Sequence, residues 1–453
     1  MAAQARVLVF DGPRQALAPL TEWLVEQDFA VHRSDRSEQA LAVLGADPFE
    51  LVLLDAAQPD GMDLAQAIRA TPATRHLAVV IVTSDHPATV AAQALAVGAD
   101  EILVPPLDEE ELYARLTALS RLAAMEIEWL RREAVLRRFG VEPEEPRAAA
   151  AAQHSTRAER LQILLVGEAS GEQVQVTAAL GGGVTATYAD GIDGALEILE
   201  RQDFDAVVLT SFRDRAEPQR LCRWLRVHPR LFDLPVLLIA QPDDVTARGE
   251  PYRWGVSDVL YQPLHPAVFR LRAQSWVRKQ RLRRRLRGET ALRHPPTQDR
   301  LTGLYGHGFL HEYLDDLLRH VAAGDPPAAL GLFNVVGMTW VNQTRGYVEG
   351  DRVLAGIAAT LARTARASDL IARLGGDEFA VVLNGSDAAA AVAAAERLSV
   401  AVAEATAGID GPGSPGLALQ AATVAVAPPH SAATLVAEAR ALCRRLGGLR
   451  RVS

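Results

Sequence analysis

Lysine is almost missing from this chain. Of 47 basic residues only Lys279 is a lysine, and the other 46 are arginines. A P-loop ATPase, a protein kinase and a pyridoxal-phosphate enzyme each require a lysine at a fixed place in a strand or loop. No G-x-x-x-x-G-K-[ST] occurs, and Lys279 sits in an arginine-rich stretch far from any glycine-rich loop. Cysteine is equally scarce. Cys222 and Cys443 fall in different thirds of the chain, which excludes a disulfide framework or a cysteine metal site and fits a reducing cytoplasm. No apolar run approaches the ~18 residues of a membrane span. The opening MAAQA passes directly into an apolar strand, so no signal peptide is expected. A basic excess is also lacking: 56 acidic residues give a net charge of −9, and no nucleic-acid partner is expected.

What remains is the composition of an ordinary folded protein, 49% hydrophobic and 23% charged over 453 residues, enough for about three domains of ~150 residues. An internal repeat organises the first two thirds. VLVFDG at 7–12 returns as ILLVGE at 163–168, and ELVLLD at 50–55 as DAVVLT at 205–210. VVIVTS at 79–84 returns as VLLIAQ at 236–241, and GADEILVPPL at 98–107 as GVSDVLYQPL at 255–264. The near-constant spacing means one fold used twice. Short, continuously apolar runs alternating with helical periodicity predict a doubly wound parallel sheet in each copy, because strands without a polar face are covered on both sides. The expected boundaries are 1–140 for the first copy, a polar Ala-rich linker at 141–160, 161–293 for the second copy and 294–453 for a third unit. The second copy ends in a helix with ten basic residues between 270 and 293, stopping at His294-Pro295-Pro296. With only Trp276 interleaved, it reads as a helix whose arginine stems cover apolar surface.

In the third unit, strands are expected at 327–336, 371–385 and 417–428, with helices rich in Ala and Leu between them. The run IARLGGDEFAVVLNG predicts a β-hairpin in which two glycines supply positive φ and two acids stand at the turn.

Ligands of an open parallel sheet bind at the carboxyl ends of its strands. In the first copy those ends carry Asp11, Asp55, Thr83 and Val104-Pro105. This pattern resembles the response-regulator receiver domain over 6–125, a flavodoxin-like fold. The resemblance implies Asp55 as phosphoacceptor, Asp11 as one member of a metal-binding acidic pair and Thr83 as the switch hydroxyl. The second acid of the pair is Gly12, and the phosphate-binding lysine is Val104. In the second copy the corresponding positions are Thr210, Ala240, Gln262 and Gly167-Glu168, so it is expected to be a pseudo-receiver without phosphoryl chemistry.

LIARLGGDEFAVVL, with DRLTGL at 299–304 and Gly350-Asp351 between them, resembles the GGDEF domain of diguanylate cyclases over 297–453. The receiver–receiver–GGDEF order resembles the PleD-type response regulators. The resemblance implies a nucleotide-cyclase-like α/β domain with a mainly antiparallel sheet, in which two divalent cations hold GTP for attack of a 3′-hydroxyl on an α-phosphate. Asp377 and Glu378 match the catalytic hairpin acids. The metal-binding Asp of the first long strand is replaced by Asn334, a neutral ligand, and its companion by Val336, so Mg²⁺ is expected to be held weakly or not at all. The phosphate-contacting lysines are Thr339 and Leu446, while Arg450 remains as a phosphate contact. Asn342 and Asp351 match the guanine-reading pair. Arg366-Ala367-Ser368-Asp369, five residues before Gly375, matches the R-x-x-D allosteric site where the family binds cyclic di-GMP, and Arg397 matches a second arginine of that site.

The resemblance implies a cyclic di-GMP-binding effector with an impaired catalytic centre, of the kind that localises to a cell pole and recruits cell-cycle regulators for proteolysis. Further implied partners are a histidine kinase and a second copy of the chain in a homodimer. Two alternatives stand beside it: an active, phosphorylation-controlled diguanylate cyclase, and a GTP-binding regulatory module. At the four positions where these families use lysine, the chain carries Val104, Gln262, Thr339 and Leu446. None is arginine, so the losses are of charge and not only of residue type.

Overall fold

Strands β1 (Arg6–Phe10), β2 (Ala30–Ser34), β3 (Leu51–Asp55), β4 (Ala78–Val82) and β5 (Glu101–Leu103) form a parallel sheet in the order β2-β1-β3-β4-β5. Helices α1 (Ala18–Glu26), α2 (Ser37–Ala46), α3 (Gly61–Ala70), α4 (Pro87–Ala96) and α5 (Glu109–Arg138) follow the strands in alternation. Every residue of β3 and β4 is buried. Leu8, Val52, Leu54 and Val79 pack on one face of the sheet and Val7, Leu51, Leu53 and Val80 on the other, which is why these strands lack a polar face. This computed structural model describes residues 5–141, 161–286 and 297–449, with short gaps inside those stretches. The expected linker beyond Val141, the helix stop at 294–296, Glu168 and Arg450 lie outside the described residues.

The repeat returns the same architecture. Strands β6 (Leu161–Val166), β7 (Val184–Ala189), β8 (Ala206–Leu209), β9 (Val236–Ala240) and β10 (Asp258–Tyr261) pair in parallel in the order β7-β6-β8-β9-β10. Among its described residues the helices are α6 (Gly191–Arg201), α7 (Glu217–Val227), α8 (Glu250–Arg253) and α9 (Pro266–Leu286). Two arginines of α9, Arg272 and Arg278, serve ion pairs. Arg272 lies 3.1 Å from Glu101 and 3.6 Å from Asp258, while Arg278 lies 2.7 Å from Asp100 and 3.1 Å from Glu126. Arg115 also reaches Glu101, at 2.8 Å. Burial alone would push the Glu101 carboxyl up, but the Arg115 and Arg272 guanidiniums hold it well below the usual carboxylate range.

The C-terminal sheet has a different plan. Strands β11 (Tyr305–Gly306), β12 (Ala328–Val336), β13 (Leu370–Gly375), β14 (Glu378–Asn384) and β15 (Ala418–Val426) lie in the order β11-β13-β14-β12-β15. All neighbours are antiparallel except β11 and β13. Helices α10 (His307–Ala322), α11 (Met338–Arg345), α12 (Tyr347–Thr364), α13 (Ala388–Thr406) and α14 (Ala432–Leu449) complete the layers. Gly375 and Gly376, between β13 and β14, have φ of 135° and 55°, the conformations that glycine alone adopts readily.

The chain divides into two compact units. One holds the described residues of Met1–Glu126 and Pro146–Leu282, the other those of Ile127–Glu145 and Arg283–Ser453. The division falls inside α5. Val135 and Leu136, near its C-terminus, join the same core as Phe309, Leu310 and Tyr313 of α10. Among the described residues, no helix is long and apolar enough to cross a membrane, and both cysteines are free and buried.

Candidate functional site

The β13–β14 hairpin presents Asp377 and Glu378 as expected, and β12 runs beside it with Asn334 directly opposite Glu378 in the ladder. The Asp377 carbonyl accepts the Val335 N–H at 3.0 Å. Arg373 fixes the turn from below, donating to the Gly376 carbonyl at 2.7 Å and to Asp299 Oδ1 of the DRLTGL segment at 2.9 Å. The Glu378 carboxylate is already occupied. Arg440, on α14, grips it with Nε 3.0 Å from each oxygen and Nη2 2.6 Å from Oε2. This bidentate pair holds the guanidinium pKa above its ordinary value.

Mg²⁺ seeks near-octahedral hard oxygen donors, preferably charged. Here one of the two hairpin acids is committed to a guanidinium, and the facing strand offers the neutral Asn334. Among the described residues, no group of three or more His, Cys, Asp or Glu side chains is arranged to hold a metal ion. The donors at this hairpin are Asp377, the Arg440-paired Glu378 and the neutral Asn334.

The Arg366–Asp369 turn lies between α12 and β13. It is closed by the Asp369 N–H donating to the Arg366 carbonyl at 3.0 Å and by the Arg366 N–H donating to Asp369 Oδ2 at 2.9 Å. Arg366 and Arg397 are exposed, whereas Asp369 is buried and its Oδ1 has no hydrogen-bond partner among the described residues. Burial pushes the Asp369 carboxyl up to about 6, against the pull of the Arg366 N–H and of the Arg366, Arg132 and Arg397 guanidiniums. A buried carboxylate oxygen left open beside exposed arginine forks is an arrangement suited to a ligand carrying both N–H donors and phosphate oxygens.

Asn342 of α11 lies against the Cα of Gly350 in α12, with its Oδ1 where a side chain at 350 would stand. It is thereby next to Gly350's chain neighbour, Asp351, which is exposed.

In the first sheet, Asp11, Asp55 and Thr83 are all buried at the carboxyl ends of the adjacent strands β1, β3 and β4. Asp11 Oδ2 accepts the Leu17 N–H at 3.0 Å and lies 3.7 Å from Arg33, while its Oδ1 has no partner among the described residues. Asp55 Oδ1 accepts the Ala57 N–H at 2.9 Å. The Gln58 carboxamide fills the space a side chain at Gly12 would take. At the matching edge of the second sheet, the Thr210 hydroxyl is turned onto the Val166 carbonyl at 3.3 Å. The hollow beside it is lined by Phe212, Leu238, Ala240 and Trp254. Gln262 accepts from Gln241 at 2.7 Å.

Three residues at these sites were not singled out from the sequence: Arg440, Gln58 and, beneath the Arg366 turn, Arg132. Arg132 Nη2 donates to the Asp369 carbonyl at 2.9 Å. Its only trace in the sequence is a Glu128-x-x-x-Arg132 spacing, which any surface helix shows.

Residues 297–446 match the diguanylate cyclase GGDEF domain family, and residues 7–117 match the response regulator receiver domain family. The response regulator PleD of Caulobacter vibrioides is 30% identical over 403 residues, 88% of this chain and 87% of PleD. The diguanylate cyclase TpbB of Pseudomonas aeruginosa is 38% identical over 109 residues, 23% of this chain and 25% of TpbB. Among solved structures, the GGDEF domain of DgcB from Caulobacter crescentus in complex with c-di-GMP aligns with a TM-score of 0.31 and 22% identity, covering 35% of this chain and 92% of that one. The chain therefore belongs to the family of response regulators that includes PleD, with a receiver domain towards its N-terminus and a GGDEF domain at its C-terminus.

Proposed function

We propose that this response regulator is a cyclic di-GMP receptor whose GGDEF domain no longer turns over GTP. The observation that carries the reading is the buried, unpartnered Oδ1 of Asp369, held beside the exposed Arg366 and Arg397. Guanine N–H groups donate to the carboxylate, and the arginine forks take the guanine carbonyl and phosphate oxygens. The commitment of Glu378 to Arg440, opposite the neutral Asn334, supports the loss of metal-dependent chemistry. Asp377 and Glu378 are then remnants, and Arg450 is a residual phosphate contact.

The proposed organisation is a receiver domain at 1–140, a linker at 141–160, a pseudo-receiver at 161–293 and the GGDEF domain at 294–453. The turned-in Thr210 hydroxyl and apolar surroundings of the second site support its lack of phosphoryl chemistry. Asp55, with Asp11 and Thr83, is the proposed phosphoacceptor site, served by a histidine kinase. The output is that of an adaptor resembling PopA, the degenerate paralogue of PleD: a homodimer acting at the cell pole to bring cell-cycle regulators to proteolysis. A second reading, a GTP-binding regulatory module, rests on Asn342 packed against Gly350 beside Asp351. Calorimetry with cyclic di-GMP on the wild type and Arg366→Ala tests the receptor. Saturable binding weakened by the substitution supports it, and equal affinity removes its basis. GTP titrated in the same way tests the second reading.

A further inference from the structure

The floor of the ligand turn is built by a segment distant in sequence. Ile127–Arg138 of α5 packs within the C-terminal unit, and two of its side chains, Glu128 and Arg132, are each 1% exposed. Arg132 Nε donates to Glu128 Oε1 at 2.5 Å, Nη1 to the Leu286 carbonyl at 2.7 Å, and Nη2 to the Asp369 carbonyl at 2.9 Å. The other oxygen of Glu128 accepts from the buried Tyr313 hydroxyl at 2.6 Å. The Asn384 amide, at the end of β14, donates to Tyr313 Oη at 2.8 Å and to the Ser368 carbonyl at 2.8 Å. The two last carbonyls of the Arg366–Asp369 turn are thus held by chains of hydrogen bonds that meet at Glu128.

We infer that Glu128 and Arg132 are positioning residues for the ligand turn, holding its backbone so that Asp369 and Arg366 stand ready for a guanine-containing phosphodiester. The inference rests on the receptor reading above and goes beyond it by making an α5 segment part of the site. A buried ion pair is a poor source of net stability, yet this one spends all three guanidinium nitrogens on defined acceptors: Glu128, the Leu286 carbonyl at the end of α9 and the Asp369 carbonyl of the turn. A fully satisfied buried network of this kind fixes geometry more than it adds stability. The remainder of α5, Glu109–Glu126, belongs to the unit that carries Asp55. The same helix therefore has one part in the receiver-bearing unit and another beneath the ligand turn. Docking of its last turns and occupancy of the turn favour each other, because each stabilises one conformation of the same backbone.

The charged groups that face Asp369 are Arg366 from its own turn, Arg132 from α5 and Arg397 from α13. Binding through the carboxylate weakens as pH falls through the Asp369 midpoint. Removing Arg132 takes away one of the three cations that hold this midpoint down. The test uses the full chain and the double variant Glu128→Gln/Arg132→Met, which leaves no unpaired buried charge, with calorimetry of cyclic di-GMP from pH 5 to 8. Expected are a loss of affinity of about tenfold at pH 7.5 and an upward shift in the pH midpoint of binding. Hydrogen exchange at the Asp369 amide is expected to quicken while β13 and β14 amides keep their protection. A merely structural role would lower thermal stability without moving the pH midpoint. Wild-type affinity and midpoint in a folded double variant would overturn the inference while leaving the receptor reading in place. No binding by the wild type would overturn both. Should the double variant not fold, Asn384→Ala, which releases only the Ser368 side of the turn, is expected to weaken binding about threefold. Unchanged affinity there would overturn the inference equally.

Discussion

The hairpin at Asp377-Glu378 and the turn at Arg366–Asp369 stand at opposite ends of one strand, β13, and their acids have met opposite fates. Glu378 is half-buried and fully partnered by Arg440, a bidentate contact from its own chain. Asp369 is more deeply buried, faces three arginines, and still keeps one oxygen without a partner. An acid neutralised internally has no call on a ligand, whereas a buried acid left open is a standing energetic cost that a ligand can relieve. The contrast separates chemistry given up from binding kept, although both motifs read equally well as strings.

The comparison breaks most readily at the arginine. Arg366→Ala is expected to weaken cyclic di-GMP binding about 100-fold, the effect of losing charge-assisted contacts to guanine and phosphate, while Glu378→Gln changes it less than about twofold. Calorimetry of both variants checks this pair, and similar losses in the two would erase the distinction between the sites.

A sharper test exploits the cost of the open acid. Asp369 has a folded pKa of about 6, above the ordinary value of about 3.9. The folded state therefore binds more protons than the unfolded one between these values. Stability falls as pH rises through that window, and the deficit persists above pH 6. Asp369→Asn cannot ionise and is expected to raise unfolding free energy at pH 7.5 by about 1–3 kcal/mol, with a difference near zero at pH 4. Urea unfolding at the two pH values reads it. Glu101, also buried but pulled down by Arg115 and Arg272, carries the opposite sign. Its contribution is present above pH ~4.5 and lost as pH falls towards 2.

The smallest expected effect lies at Arg440. Arg440→Ala leaves Glu378 without its cation, but both side chains are about a quarter to a third exposed, so the stability loss is about 1 kcal/mol or less. The substitution is not expected to create turnover, because Asn334 and Val336 still stand where carboxylates are needed. Thermal unfolding and nucleotide chromatography together check both parts.

Much of this was legible in the sequence, for identifiable reasons. Runs such as LVLL of β3 and AVVIV of β4 are apolar throughout because both sheet faces are covered, and the two glycines of the hairpin adopt the positive φ their positions demanded. The acids, the Arg-x-x-Asp turn and the Asn342–Asp351 pair were marked out by the resemblance to the GGDEF domain, which supplied the positions to compare. Three-dimensional partners were not. Nothing in a helical run marks Arg440 as the residue facing Glu378, 62 positions earlier, or Arg132 as a support for Asp369, 237 positions later. The expected domain edge at 140 followed the start of the polar, Ala-rich segment at 141–160, and the helical pattern before it runs unbroken from 109 to 138. That periodicity continues across Glu126 without a glycine or proline, so the passage of the helix from one compact unit into the other left no mark.

One incubation tests directly whether GTP turnover is lost while cyclic di-GMP binding is kept. The purified full chain is mixed with labelled GTP and Mg²⁺, with and without added cyclic di-GMP, and free and protein-bound nucleotides are separated by chromatography, with the diguanylate cyclase TpbB as control. The expected result is that TpbB converts the label, while this chain leaves GTP intact and retains the added cyclic di-GMP. Labelled cyclic di-GMP formed by this chain, or added cyclic di-GMP recovered entirely in the free fraction, would contradict it.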